Sequence, residues 1–224
     1  MRSFSEIEAM AVGHHGDDGV AAKMPEATPT AALIARTDDR WLAEMTKAVF
    51  QSGFSWKVIQ SKWSGFESAF DGFDPHRVAM FSDDDVARLL KDTGIVRNGA
   101  KIMATIANAQ FVLDIADEHG SFGTFLANWP PSDQAGLLEL LGKRGSRLSG
   151  STAQFFLRFT GWDAWIASGD VVTALIREGV IDKPLTSKTA LKKVQDAFNT
   201  WTAESGRTQA EISRTLALSV GPKD

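Results

Sequence analysis

Apolar residues along this chain recur at intervals of three and four much more often than they alternate with polar ones. That is the period of helices burying one face. Trp41, Met45, Val49 and Ser52 form one such stripe, opened by Thr37-Asp38-Asp39 as an N-cap with an acidic first turn. After the break at Gly53, Phe54-Ser55-Trp56 leads into a helical stretch to about Trp63. Asp74-Pro75 opens a short helix, and Ser82-Asp83-Asp84-Asp85 caps one through Leu90, with Gly94 expected as its C′ residue. Ile102, Ile106, Ala109 and Leu113 mark a long helix over about 99–118. Ala153, Phe156, Leu157 and Thr160 mark another that begins near Gly150–Ser151. Further helices are expected near 133–142, 171–178, 188–203 and 207–219, with Leu191, Val194, Phe198 and Trp201 packing back on the core. Tyr is absent and no segment reads as a strand, so the fold class is all-α. Residues 1–36 are read as an N-terminal segment with one helical piece near Ile7–Val12, and 37–224 as a single helical domain without an internal linker.

A chain of 224 residues, 43% hydrophobic and 23% charged, has an ordinary globular composition. No apolar run is long enough to cross a bilayer, and Met1-Arg2-Ser3-Phe4 is not followed by a secretory apolar stretch. A cytoplasmic monomer is the expectation. The absence of cysteine removes disulfides, thiolate nucleophiles and cysteine-bound zinc. His14, His15, His76 and His119 contain no i, i+4 pair, and His14-His15 is expected in a polar surface loop. Neither a metal nor a cofactor is expected. The net charge of −4 argues against binding nucleic acid by bulk electrostatics, so any cationic patch must be local.

Such a patch lies between Leu137 and Ala153, which reads as helix, Gly-bounded turn, helix at about 135–160, with Lys143, Arg144 and Arg147 at the turn. A helix N-terminus leaves amide hydrogens unpaired and carries partial positive charge. Gly145 and Gly150 would let those amides approach a phosphate, with Ser151 and Thr152 adding hydroxyl donors. An ordinary turn between helices with solvated cations fits the same spacing.

The segment resembles the hairpin of the helix-hairpin-helix DNA glycosylases, and the DNA-3-methyladenine glycosylase I family in particular. Phe50-Gln51-Ser52-Gly53-Phe54-Ser55-Trp56 is similar to that family's Gln-Ala-Gly-Leu-Ser-Trp element. Phe73-Asp74-Pro75 and Gly94-Ile95-Val96-Arg97-Asn98, with Lys101-Ile102 and Asn108-Ala109, resemble its Phe-Asp-Pro and Gly-Ile-Ile-Arg segments. The resemblance covers about residues 40–175. It implies a two-lobed helical fold and an enzyme that extrudes a damaged base from double-stranded DNA and hydrolyses its N-glycosidic bond.

Carried across residue by residue, the resemblance makes Phe54 the wedge, Gln51 the plug in the vacated space and Trp56 the stacking platform, on which a cationic methylated purine gains from the indole face. The alternative for both aromatics is a place in the core. Asp170 follows Thr152 by 18 residues, the position of the wider superfamily's catalytic acid. It would stabilise an oxocarbenium ion and orient water, or it could simply cap a helix. Asp163 stands too early. Lys143, Arg144, Gly145, Arg147, Gly150, Ser151, Thr152, Arg97 and Lys101 are expected on the DNA backbone. Ser151 occupies the position of a lyase lysine, so the activity implied is monofunctional.

Three departures stand against this. The relatives' Glu three residues before Gln51 is Ala48 here, their zinc cysteines are missing, and their pocket tyrosines have no counterpart. A protein that binds damaged or bent DNA without catalysis, and a helical protein with no nucleic-acid role, are therefore the other readings.

Overall fold

The computed structural model describes residues 1–26, 28–185 and 187–221. Among them are α1 (Phe4–Ala21), α2 (Thr30–Ala35), α3 (Asp38–Gln51), α4 (Trp56–Ser61), α5 (Trp63–Ala69), α6 (Pro75–Ala79), α7 (Asp83–Leu89), α8 (Gly99–His119), α9 (Phe122–Asn128), α10 (Gln134–Arg144), α11 (Gly150–Phe159), α12 (Gly169–Arg177), α13 (Lys188–Ser205) and α14 (Gln209–Leu218). No strand occurs among the described residues, so the fold is all-α, as the periodicity predicts. No described helix is long and apolar enough to cross a membrane.

Two compact units share the chain. An inserted unit comprises Pro29–Trp129 and Leu138–Thr160, and a terminal unit comprises Met1–Thr28, Pro130–Leu137 and Gly161–Asp224. In the inserted unit α8 packs against both α3 and α6, α9 against α2, and α11 against α3. The α3 stripe is buried as expected at Trp41, Met45 and Val49, whereas Ser52 is exposed, because the helix ends at Gln51. Trp41 lies fully buried, its ring 5.6 Å from that of Phe122 and 6.2 Å from that of Phe156. The Asp38 carboxylate accepts the Phe122 amide hydrogen at 2.9 Å and so joins the starts of α3 and α9.

Gly94 does not act as the C′ residue of α7. That helix ends at Leu89 with Leu90 in right-handed conformation, and Gly94 is not left-handed. The chain crosses Gly65 at this point, and it is Gly65 that must lack a side chain. A Cβ there would stand 2.4 Å from the Gly94 carbonyl oxygen, whereas a Cβ on Gly94 would come no closer than 3.0 Å, to the Asp92 carboxylate.

In the terminal unit α14 packs against α1, α12 and α13. Val194, Phe198 and Trp201 are buried from α13, and the buried Gln134 side chain clasps the backbone of Trp165 through bonds of 2.8 and 2.7 Å. The Glu178 carboxylate, 1% exposed, receives the Arg2 amide and the guanidinium groups of Arg2 and Arg177. Burial alone would raise its pKa, but the bonds from Arg177 and the Arg2 amide outweigh that and hold it below the usual carboxylate range.

Residues 1–36 are more structured than their composition suggests. Ser3 and Glu6 form a capping box, and α1 buries Phe4, Ile7, Ala11 and Val20. His14 and His15 lie in α1 rather than in a loop. Gly16, at φ 69°, interrupts the helical backbone just after them, and the glycines and aspartates here occupy the helix's outer side.

Candidate functional site

The Gln51–Trp56 loop follows from how α3 ends. Gln51 is its last residue, Gly53 turns the chain at φ 75°, and Phe54 and Trp56 emerge 41% and 43% exposed. Neither is a core residue. The Trp56 indole meets the Phe155 and Phe159 rings of α11 edge-on, at 5.5 and 5.3 Å.

Around this indole lies a cleft with two compartments that share Ala48, Gln51 and Trp56. One, of about 200 Å³, is completed by Ser52, Gly53, Ser151, Thr152 and Phe155. The other, of about 290 Å³, is completed by Glu44, Lys47, Phe156 and Phe159. Glu44 and Lys47 form an ion pair at 3.6 Å. The structure thus brings Gln51, Trp56, Ser151 and Thr152 to one cleft.

The corner between α10 and α11 spans residues 145–149. Arg147 takes a left-handed φ of 59° and Gly150 one of 55°, a conformation that costs a residue with a side chain about 1 kcal/mol. What holds the corner is Asn108, fully buried on α8. Its Oδ1 accepts the Ser146 amide hydrogen at 2.7 Å, and its Nδ2 donates to the Ser146 carbonyl at 3.1 Å. The fully buried Leu148 anchors the other side. The N-cap of α11 is Ser149, and its side chain makes no capping bond. The leading amides of α11 have no acceptor within the helix. Lys143 and Arg147 are exposed at the corner, and Arg97 is exposed just before α8.

Three of the expected backbone contacts take other roles. Lys101 is only 6% exposed, and its ammonium donates to the Phe50 carbonyl at 3.1 Å and to the Ser52 carbonyl, so it cannot reach a phosphate in this conformation. The Gly145 amide is spent on the Leu141 carbonyl at 2.9 Å, and a Cβ there would meet that oxygen at 2.8 Å; the glycine serves packing. Arg144 forms a two-pronged pair with Glu118 at 2.8 and 2.7 Å and lies over the Phe111 ring.

Asp170, in the terminal unit, occupies the first turn of α12 and is partly buried. It is not the N-cap, since Ser168 fills that position and accepts the Val171 amide hydrogen at 3.4 Å. Asp163 is committed to structure, accepting the Gln209 and Ala210 amide hydrogens that open α14, at 3.2 and 2.8 Å.

A family model described as methyladenine glycosylase matches residues 33–136. DNA-3-methyladenine glycosylase 1 of Escherichia coli (strain K12) is 32% identical over 138 residues, which cover 53% of this chain and 74% of that protein. The chain belongs to the DNA-3-methyladenine glycosylase I family. A solved family member from Staphylococcus aureus superposes with a TM-score of 0.52 at 25% identity, covering 68% of this chain and 91% of that one. The fold is also shared with an 8-oxoguanine glycosylase/lyase from Methanocaldococcus jannaschii, solved with a 15mer DNA containing 8-oxoguanine. That match has a TM-score of 0.52 at 12% identity over 95% of this chain and 94% of that one. The glycosylase family match includes α3, the Gln51–Trp56 loop and α8, and it stops before the α10–α11 corner and Asp170.

Sequence reasoning missed Glu44, Lys47 and the part played by Asn108. Glu44 lies one helical turn before Ala48, so the i−4 spacing alone could have put it on the same face. An Asn among the inward positions of α8 was the other available signal, since a buried amide must find partners.

Proposed function

We propose that this glycosylase excises an alkylated purine from duplex DNA, with the Gln51–Trp56 loop and the α11 face forming the pocket for the extruded base. The observation that carries the reading is an exposed indole lining a cleft that also contains Ser151 and Thr152, at the start of a helix with free leading amides. A phosphate is bound by those amides and hydroxyls, with Lys143, Arg147 and Arg97 adding charge without reading sequence. Phe54 enters the stack as the base leaves it, and Gln51 fills the gap. The base rests on Trp56, where a ring made cationic by alkylation gains about 0.5–2 kcal/mol over a neutral one. Glu44 and Lys47 supply the charged groups of the second compartment, beside the space that Ala48 leaves open.

Alkylation of a ring nitrogen makes the purine a good leaving group. The bond from C1′ to the purine nitrogen breaks, its electron pair goes to the ring, and the base departs neutral. Water adds to C1′ of the oxocarbenium ion and gives up a proton. We assign to the Asp170 carboxylate the stabilisation of that ion and the acceptance of the proton. Release of 3-methyladenine from methylated duplex, measured in single turnover, tests the reading. Wild type should release base, Trp56→Ala should lose about 10–100-fold, and Asp170→Asn more. Tight binding to abasic duplex by a wild type that releases no alkylated base would leave only a damage-binding protein.

A further inference from the structure

The buried ammonium of Lys101 lies where α3 ends. A helix C-terminus leaves carbonyls without partners and carries partial negative charge, and here Lys101 reaches in from the first turn of α8 to the carbonyls of Phe50 and Ser52. The same nitrogen stands 4.5 Å from the centroid of the Phe54 ring. One cation therefore fixes both the backbone leading into the loop and the side chain at its tip. Its own helix is held at the start by Asn98, whose side chain accepts the Lys101 amide hydrogen at 3.1 Å.

Asn108, seven residues further along α8, grips Ser146 of the α10–α11 corner. Seven residues are close to two helical turns, so both side chains project from the same face, separated by about 10 Å along the axis. The tip of the Gln51–Trp56 loop and the α10–α11 corner are thus tied to one helix.

We propose that Lys101 is a positioning residue for the wedge Phe54, and that α8, through Lys101 and Asn108, fixes the spacing between wedge and phosphate corner. This rests on the reading of Phe54 as the wedge and deepens it. Lys101 acts on base extrusion, not on DNA affinity. Burial, and to a smaller extent the charge of Arg147, weaken the ammonium's hold on its proton. A phosphate seated at Arg147 opposes the second, smaller of these and so favours the cation under the loop when DNA is bound.

The test compares wild type, K101M, F54A and the double variant, with three readouts. These are the salt dependence of binding to undamaged duplex, the fluorescence of 2-aminopurine reporting unstacking, and single-turnover base release. K101M is expected to keep the wild-type salt slope while extrusion and release fall about 10–100-fold. In the F54A background the same substitution should cost less than about twofold, because its effect passes through that ring. A salt slope reduced by about one would make Lys101 a phosphate contact and overturn the proposal, as would full additivity with F54A. Should K101M lack a cooperative unfolding transition, K101Q, which keeps a donor to one carbonyl, carries the same comparisons. If wild type releases no base, the glycosylase reading fails, while the salt slope and the extrusion signal still judge Lys101.

Discussion

Replacing Asn108 by alanine separates the hairpin's stability from its charge. The side chain is fully buried and makes two hydrogen bonds to one residue, Ser146. Each such bond contributes about 1 kcal/mol net, and the larger part of the loss comes from backbone groups left without a partner. Ser146 is only partly buried, so water recovers some of that loss, and the expected cost is about 2–3 kcal/mol. For a chain of this size that corresponds to a fall in Tm of about 4–12 °C. Urea unfolding of wild type and Asn108→Ala gives the difference directly, and titration with undamaged duplex at fixed salt gives the functional half. With the corner released from α8, affinity should fall about tenfold, or ~1.4 kcal/mol. The salt slope should stay near wild type, because no cation has been removed. A stability loss below about 0.5 kcal/mol would refute the bonding argument. A full stability loss with unchanged affinity would refute the assignment of this corner to DNA.

Lys143→Ala and Arg147→Ala should each lower the slope of log affinity against log salt by about one, measured on undamaged duplex. Gly65→Ala should cost about 2–3 kcal/mol in chemical unfolding, because its Cβ meets the Gly94 carbonyl oxygen at 2.4 Å. Gly13→Ala, with nothing within 4 Å inside α1, should be neutral or stabilise by about 0.5–1 kcal/mol. Glu178 has a depressed pKa in the folded chain, so its contribution is present above its ordinary value of 4.5 and is lost as pH falls through the lower folded value. Glu178→Gln should flatten that acid limb in Tm measured across pH, and an unchanged limb would show the carboxylate to be unpaired in solution.

The helices were legible because burial imposes a period on the sequence. The α3 stripe of Trp41, Met45 and Val49 and the α13 stripe of Val194, Phe198 and Trp201 are both buried. Legibility ended where a residue's role depends on a neighbour distant in sequence. Nothing near Lys101 in the chain announces that its partners are carbonyls some 50 positions earlier. Likewise a glycine suits left-handed backbone, an open amide and close packing equally well, so the sequence alone does not separate a helix-ending Gly94 from a plain loop residue, or a phosphate-facing Gly145 from one packed on the Leu141 carbonyl. Asp170 presents the opposite difficulty, since capping and chemistry favour the same helix start, and Ser168 at the cap removes only the capping role. The residue types of the cleft were legible at Trp56 and Gln51, but Glu44 lies outside the motif that drew attention to them.

The division of the chain into an inserted and a terminal unit has a consequence for its synthesis. Helix α1 finds its partners in α13 and α14, and the Arg2 carbonyl waits for the Trp201 indole hydrogen. At about 5–20 residues per second, α1 emerges from the ribosome on the order of 10–40 s before the last of those partners. Until then the apolar side chains of Phe4, Ile7 and Ala11 lack their cover, while every residue of the inserted unit is already available. A chain truncated after residue 160 and released from the ribosome should therefore resist protease across 29–160 while remaining open to cleavage within α1.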